Sequence, residues 1–294
     1  MHKQARGFAA VQPDIVRPRV AFARTRMRQR AMTSLRAVID QLTPDDQHFA
    51  IDAPPAWGQG RTLYGGMTAA LAFEAVKRAH AELPPLRSAQ FAFVGPASGH
   101  LRFSSTLLRR GRSSTIVAAD CANEEGTAAR ALFVFGAARE SKVAHDFLPM
   151  PNVPAPEDSP PFRKGAPSTR GFWDNFETRL ASGARLLDIS APRPEFAVWT
   201  RFLDHGGADP ITAMLALADC LPPAAMTHFP ELAFISTMTW SVDVMTLPQT
   251  GDGWFLLASS SEHSTDGYSM QSMTMWSEDG APIAVGRQAV AIFI

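Results

Sequence analysis

One aspartate in this sequence occupies a position that suits chemistry at a carbonyl group. Asp219 lies in the segment ADPITAMLALADCLPP (208–223), where Asp209 and Pro210 are favourable helix N-cap and first-position residues. A helix there places Asp219 on an apolar face, at the negative end of the helix dipole, which disfavours a purely structural carboxylate. The alternative is that the helix ends before Asp219, which then only caps the following turn.

Two consecutive glycines, Gly65 and Gly66, begin a second apolar segment, GGMTAALAFEAVKRAH (65–80). Glycines at a helix N-terminus leave backbone N–H groups accessible beside the positive end of the dipole, which suits a carbonyl oxygen or an oxyanion. Paired glycines are also common turn residues, and the sequence leaves both interpretations open. Glu74, in the same segment, is interpreted as an ordinary helix residue.

The elements around these residues occur twice. Each apolar helix precedes four segments rich in β-branched and aromatic residues, joined by short turns that contain glycine. A T-A-x-L-A motif begins at Thr68 and again at Thr212. A helix this apolar must be covered on most sides, and a curved antiparallel sheet can cover it. The duplication predicts an α+β double hotdog: two antiparallel sheets, each wrapped around a central helix and joined edge to edge.

The duplication sets the predicted domain boundaries. We expect an N-terminal hotdog at 32–148 and a C-terminal hotdog at 169–294, because the stretch 149–168 contains seven prolines and reads as an extended linker. Residues 1–31 carry eight Lys or Arg residues against one Asp. That stretch is interpreted as a disordered basic leader or as a mis-assigned start.

Composition excludes several classes of protein. Over 294 residues the 28 basic and 28 acidic groups balance, which disfavours nucleic-acid binding, and no apolar run reaches the ~18 residues of a membrane span. Two isolated cysteines, Cys121 and Cys220, indicate a reduced compartment rather than a disulfide framework. The eight histidines form no metal-ligand spacing. We therefore expect a soluble cytoplasmic protein without a metal or cofactor.

Several segments, in a fixed order over roughly residues 45–294, resemble the acyl-CoA thioesterase II family of double-hotdog hydrolases. They include GGMTAALAFEAV, DPITAMLALADCLPPA, ISTMTWSVDV, GDGWFLL and DGAPIAVGRQAVAIF. The resemblance implies a catalytic aspartate, threonine or serine, and glutamine, at Asp219, Thr237 and Gln288. The chain departs from better-known members just after the threonine, where they have an acidic residue and a histidine and this sequence reads MTW (238–240).

The resemblance implies hydrolysis of acyl-CoA to a free acid and CoA, a role in lipid metabolism, and acyl-CoA as the partner, with a homo-oligomer possible. Thioester hydrolysis needs an activated nucleophile and donors for the oxyanion. Asp219 would activate water, Gln288 and Thr237 would orient water or the carboxylate, and Gly65 and Gly66 would bind oxygen. The alternatives are a catalytically silent acyl-CoA or acyl-carrier binding module, and a hotdog hydratase or dehydratase.

Overall fold

The structure, a computed structural model, describes residues 33–163 and 171–294. The predicted leader and the end of the predicted linker lie outside these described residues. The described residues belong to one compact unit. Three α-helices occur among them: α1 (Leu35–Ile39), α2 (Gly65–Ala79) and α3 (Pro210–Ala218).

Fourteen strands are described, of which β3 and β4 form a small separate ribbon. In the first half they are β1 (Thr43–Asp45), β2 (His48–Asp52), β3 (Gly58–Gln59), β4 (Thr62–Leu63), β5 (Leu86–Phe93), β6 (His100–Arg110), β7 (Ser114–Asn123) and β8 (Gly126–Gly136). In the second half they are β9 (Phe176–Gly183), β10 (Glu195–Phe202), β11 (Phe234–Val244), β12 (Phe255–Thr265), β13 (Tyr268–Ser277) and β14 (Pro282–Phe293).

The other twelve strands form one antiparallel sheet that repeats the same plan in each half. Their order is β1-β2-β6-β7-β8-β5-β11-β14-β13-β12-β10-β9, so each outer edge is formed by a strand pair that precedes that half's long helix. The halves meet where β5 pairs with β11. At this junction Trp240 is the register partner of Phe91, and the two rings stack with centroids 5.2 Å apart.

The two long helices pack against each other in the main hydrophobic core. Positions 66–76 of α2 and 212–218 of α3 are all buried, which explains why both segments are apolar on nearly every side. The helices run antiparallel, because Gly66 at the start of α2 lies against Ala216, whereas Glu74 contacts Thr212 near the start of α3. This packing brings the N-terminus of α2 to the C-terminus of α3.

The proline-rich stretch lies across the outer face of the second half's sheet. The indole N–H groups of Trp199 and Trp276 donate to the carbonyl oxygens of Pro154 and Leu148, at 2.8 and 2.9 Å. Met150 and Val153 pack on the same tryptophans and on Leu256. The segment therefore covers a second, smaller apolar cluster in addition to connecting the halves.

Local turn chemistry explains the hairpins. Asp266 and Gly267 both have positive φ, 52° and 78°, as a type I′ turn between β12 and β13 requires. Within the described part of the chain, no helix has the length and apolarity needed to cross a membrane.

Candidate active site

Asp219 lies at the point where the two long helices meet the sheet. Helix α3 ends at Ala218 and Asp219 is its C-cap residue, so the helix does end before the aspartate. The carboxylate nevertheless points away from the local turn. Its Oδ1 accepts a hydrogen bond from Gln288 Nε2 on β14 at 2.5 Å, and the Gly66 N–H of α2 also donates to it. Three separate elements therefore converge on one carboxylate.

Burial changes the acidity of this carboxylate. Asp219 is half-buried, and the loss of water around its carboxyl group raises its pKa to about 7. The hydrogen bonds from Gln288 and Gly66 lower the pKa of Asp219 in part. A carboxyl group with a pKa near neutrality accepts a proton far more readily than an exposed aspartate does. Perturbed acids of this kind are typical of functional sites.

A glutamine that sequence analysis missed fixes the orientation of Gln288. The backbone N–H of Ala224 donates to Gln271 Oε1 at 2.8 Å, and Gln271 Nε2 donates to Gln288 Oε1 at 2.6 Å. A backbone N–H can only donate, so each amide in turn must present its NH₂ group to the next acceptor, which ends at Asp219. Gln271 and Gln288 are only 1% and 5% exposed. The network therefore holds Gln288 as a donor to the carboxylate.

A β-bulge brings Thr237 to the same face of the sheet as Gln288. Thr237 is the register partner of Val290 and Trp240 of Gln288, with the irregularity of the pairing at Met238. Residues 288 and 290 point to the same face of β14, so their partners Trp240 and Thr237 point to that face as well. In a regular strand two residues three positions apart would point to opposite faces, and the bulge removes this difference. The bulge and the tryptophan that stacks on Phe91 both lie in the MTW segment (238–240).

The glycine pair at the start of α2 allows a very close approach. A Cβ atom on Gly65 would lie 2.6 Å from Asp219 Oδ2, and one on Gly66 would lie 2.7 Å from the carbonyl oxygen of Ala216. Neither position has room for a side chain. Sequence analysis selected these glycines for their N–H groups, and the Gly66 N–H is bonded to the Asp219 carboxylate.

Two other groups near the site stay protonated. Tyr64, which stacks on Phe172, donates its hydroxyl to the carbonyl oxygen of Ala216, and burial raises its pKa well above the ordinary value. Burial likewise raises the pKa of the Cys220 thiol well above its ordinary value. Cys220 is therefore not an activated thiolate nucleophile.

Glu74 lies on α2 nine residues after Gly65. There it connects α2 to the start of α3. It is 6% exposed and accepts a hydrogen bond from Thr212 Oγ1 at 2.5 Å and from Lys77 Nζ at 3.2 Å. Lys77 also contacts Asp209 at 3.1 Å, which links the N-cap of α3 to α2. These contacts indicate a structural role for Glu74.

We expect Glu74→Gln to lower stability without affecting catalysis. The change keeps the shape of the side chain but removes the charge that pairs with Lys77 in a buried setting, so the free energy of unfolding should fall by roughly 1–3 kcal/mol. Turnover should stay within about a factor of two, because the residue is remote from Asp219. Urea denaturation and a thioesterase assay on the same preparation measure both effects. A large loss of turnover with unchanged stability would instead make Glu74 the reacting carboxylate.

An apolar cavity opens beside Asp219, between α3 and the inner face of the second half's sheet. Its volume is about 20 Å³, which is room for about one water molecule. Its lining includes Ala218, Leu221, Trp240, Leu257, Met273 and Met275.

The two halves of the chain match the two domains of one enzyme family. The first half matches the model of the acyl-CoA thioesterase N-terminal domain over residues 53–136, and the second half matches that of the C-terminal domain over residues 151–292. The chain therefore belongs to the acyl-CoA thioesterase family, and the resemblance seen in the sequence is confirmed. No curated protein sequence matches the chain.

Solved structures support the hotdog fold. A conserved protein of unknown function with a hot dog fold from Alicyclobacillus acidocaldarius shares 24% identity, with a TM-score of 0.77 over 87% of this chain and 98% of that one. The tesB protein of Mycobacterium avium subspecies paratuberculosis shares 18% identity, with a TM-score of 0.72 over 89% and 100%. An acyl-CoA thioesterase II from Mycobacterium marinum shares 15% identity, with a TM-score of 0.69 over 88% and 98%.

Proposed function

We propose that this protein hydrolyses acyl-CoA thioesters with water activated by Asp219. Membership of the family establishes a thioesterase, and the mechanism is our inference from the site. The observation that carries it is a carboxylate with a pKa raised to about 7, held by Gln288 of β14 and Gly66 of α2 where the two long helices meet the sheet. A base of this strength is matched to proton transfer near neutral pH.

The proposed reaction begins with the ionised Asp219 accepting a proton from a bound water as that water attacks the thioester carbonyl carbon. The carbonyl π electrons move onto oxygen and give a tetrahedral oxyanion. When the carbonyl reforms, the carbon–sulfur bond breaks and the CoA thiolate leaves, taking up the proton that Asp219 holds. Acyl-CoA and water thus yield a free acid and CoA, and Asp219 returns to its ionised form.

Other groups have distinct proposed roles. Gln288 keeps the carboxylate in place, Gln271 keeps Gln288 in its donor orientation, and the Thr237 hydroxyl orients the water from the same face of the sheet. The positive end of α2 and its Gly65 N–H stabilise the oxyanion, whereas the Gly66 N–H serves the carboxylate. The hydrogen-bond partners of Asp219 in the described residues include no histidine, which counts against the hydratase alternative.

The pH dependence of hydrolysis tests this proposal. For a medium-chain acyl-CoA, kcat/KM should rise with pH to about 7 and then level off, because the base must be ionised. In Gln288→Ala the rise should move to higher pH, since the lost hydrogen bond lowers the pKa of Asp219 in the wild type. A thiol-release assay over a chain-length series measures this, beside a crotonyl-CoA hydration assay.

Two results of these assays would contradict the proposal. Hydration of crotonyl-CoA without thiol release would favour the hydratase alternative. Thiol release that keeps a constant rate down to about pH 4 would show that the base is not the carboxyl group described above.

A further inference from the structure

A tyrosine hydroxyl joins the two helix ends that meet at the candidate site. Tyr64 is the N-cap residue of α2, although its side chain makes no capping hydrogen bond. Its hydroxyl instead donates to the carbonyl oxygen of Ala216, which lies in the last turn of α3, three residues before Asp219. This one bond therefore connects the first half of the chain to the second beside the reacting carboxylate.

The carbonyl group of Ala216 needs a donor from outside its own helix. In a continuing α-helix it would accept a hydrogen bond from the N–H of Cys220. Helix α3 ends at Ala218, however, and the Cys220 N–H donates to the carbonyl oxygen of Leu217 at 3.0 Å. Ala216 is fully buried, where a carbonyl group without a partner is costly. The hydroxyl of Tyr64 satisfies the carbonyl that the helix end leaves open.

Aromatic packing holds this hydroxyl in one direction. Tyr64 is 1% exposed. Its ring stacks on Phe172 of the second half, with centroids 4.4 Å apart, and is nearly parallel to Trp57 of the first half at 6.1 Å. Rings from both halves thus orient the tyrosine, and its hydroxyl adds a directional contact to α3.

The carbonyl oxygen that Tyr64 binds also lies against the residue that serves the carboxylate. It would be 2.7 Å from a Cβ atom on Gly66, and the Gly66 N–H donates to Asp219. The separation of α3 from the start of α2 therefore sets the length of the hydrogen bond between Gly66 and Asp219. Without the hydroxyl, the carbonyl of Ala216 has to turn toward another donor, and this separation changes.

We infer that Tyr64 is a positioning residue for hydrolysis: its hydroxyl holds the end of α3, and with it the Asp219 carboxylate, against the Gly66 N–H. This inference rests on the proposed role of Asp219 as the base. Tyr64 does not act as an acid or a base itself, since burial keeps its hydroxyl protonated by raising its pKa well above the ordinary value. It acts only through the geometry of Asp219.

The test is Tyr64→Phe, which keeps the stacked ring and removes only the hydroxyl. We expect kcat to fall about tenfold, less than the roughly 10²-fold that a displacement of about 1 Å costs, and KM to stay within about a factor of two. The rise of kcat/KM with pH should also move to higher pH, because a weaker hydrogen bond from Gly66 lowers the pKa of Asp219 less than it does in the wild type. Cys220, the neighbouring thiol, stays protonated over this range, so the shift reports on Asp219.

Thr212→Val is the matched control. The Thr212 hydroxyl bonds Glu74 at the other end of the same helix pair, and Thr212 is also fully buried. Each variant loses one buried hydroxyl contact between α2 and α3, so the melting temperature should fall in both. Only Tyr64→Phe should change kcat and the pH profile. An equal change of kcat in both variants, or a Tyr64→Phe protein with a lower melting temperature but unchanged kcat and pH profile, would overturn the inference.

An NMR titration of the Asp219 carboxyl group separates this inference from the proposed function, because it needs no turnover. A higher pKa of Asp219 in Tyr64→Phe than in the wild type supports the positioning role, and an unchanged pKa overturns it. If the pKa rises but Asp219→Asn keeps full turnover, Tyr64 positions a carboxylate that is not the base, and the proposed mechanism fails. If Asp219→Asn is inactive while Tyr64→Phe matches the wild type in kcat and pKa, the mechanism stands and the role of Tyr64 fails.

Discussion

Replacing Asp219 with asparagine is expected to reduce turnover by roughly 10²–10⁴, the usual contribution of a positioned general base. Asparagine keeps the size of the side chain and accepts a hydrogen bond from Gln288, but it cannot take a proton from water. Acyl-CoA binding should be retained, because the change removes a charge without altering the size of the side chain. The rate of thiol release gives kcat. Equilibrium binding of a non-hydrolysable thioether analogue gives the affinity for the substrate separately.

Combination with other substitutions tests whether the network acts as one unit. Thr237→Val and Gln288→Ala should each cost less than Asp219→Asn, and adding either to Asp219→Asn should lower turnover little further. Glu74→Gln is the control for loss of a buried carboxylate elsewhere in the helix pair. Near-wild-type turnover in a folded Asp219→Asn protein would remove the assignment and leave the silent binding module as the better interpretation.

Stability should respond to Asp219→Asn with a definite sign. The pKa of Asp219 is raised from 3.8 to about 7 in the folded protein, so the folded state holds a proton that the unfolded state releases between these values. The free energy of unfolding of the wild type should therefore fall as pH rises from about 4 to about 7, by on the order of 1–4 kcal/mol. Asp219→Asn should lack this fall and be more stable than the wild type at pH 8. Urea denaturation of both proteins at pH 4 and pH 8 measures the difference.

The second large effect is expected from a methyl group at position 65. In Gly65→Ala the new Cβ would lie 2.6 Å from Asp219 Oδ2 and 3.0 Å from the Phe93 ring, so the carboxylate must move. A displacement of about 1 Å at a reacting group is enough to cost roughly 10²-fold in rate. We expect kcat/KM to fall by about that factor with a small change in melting temperature, because the displaced atoms are ends of side chains.

Gly66→Ala is the matched control for this prediction. Its Cβ would meet the backbone oxygen of Ala216 at 2.7 Å, and a backbone contact can be relieved only by separating the two helices. Stability should therefore fall by roughly 1–3 kcal/mol, the usual cost of overpacking. Because the Gly66 N–H donates to Asp219, turnover should fall in this variant too, and the two variants differ in stability, which only Gly66→Ala should lose. Unchanged kcat/KM in Gly65→Ala would show that the glycine pair serves packing alone.

Local patterns in the sequence were sufficient for much of the fold. The buried helix at Gly65–Ala79, the second helix beginning at Pro210 and the hairpin turn at Asp266 follow from composition, capping and turn chemistry between near neighbours. The hotdog fold and the family are confirmed. The strand pairs at the two outer edges of the sheet were missed, because Glu195–Phe202, for example, is buried on nearly all positions and has no alternating pattern.

The sequence by itself determined which residue types are available at the site: a carboxylate after an apolar helix, a glutamine near the C-terminus and two glycines before a helix. Tertiary structure alone decided that Gln271 faces Gln288 and that a bulge turns Thr237 to the same side. Each of these depends on strand register and on helix contacts between residues that are distant in sequence. A one-residue shift in register would turn each side chain to the other face of the sheet, and the identity of single residues does not encode register.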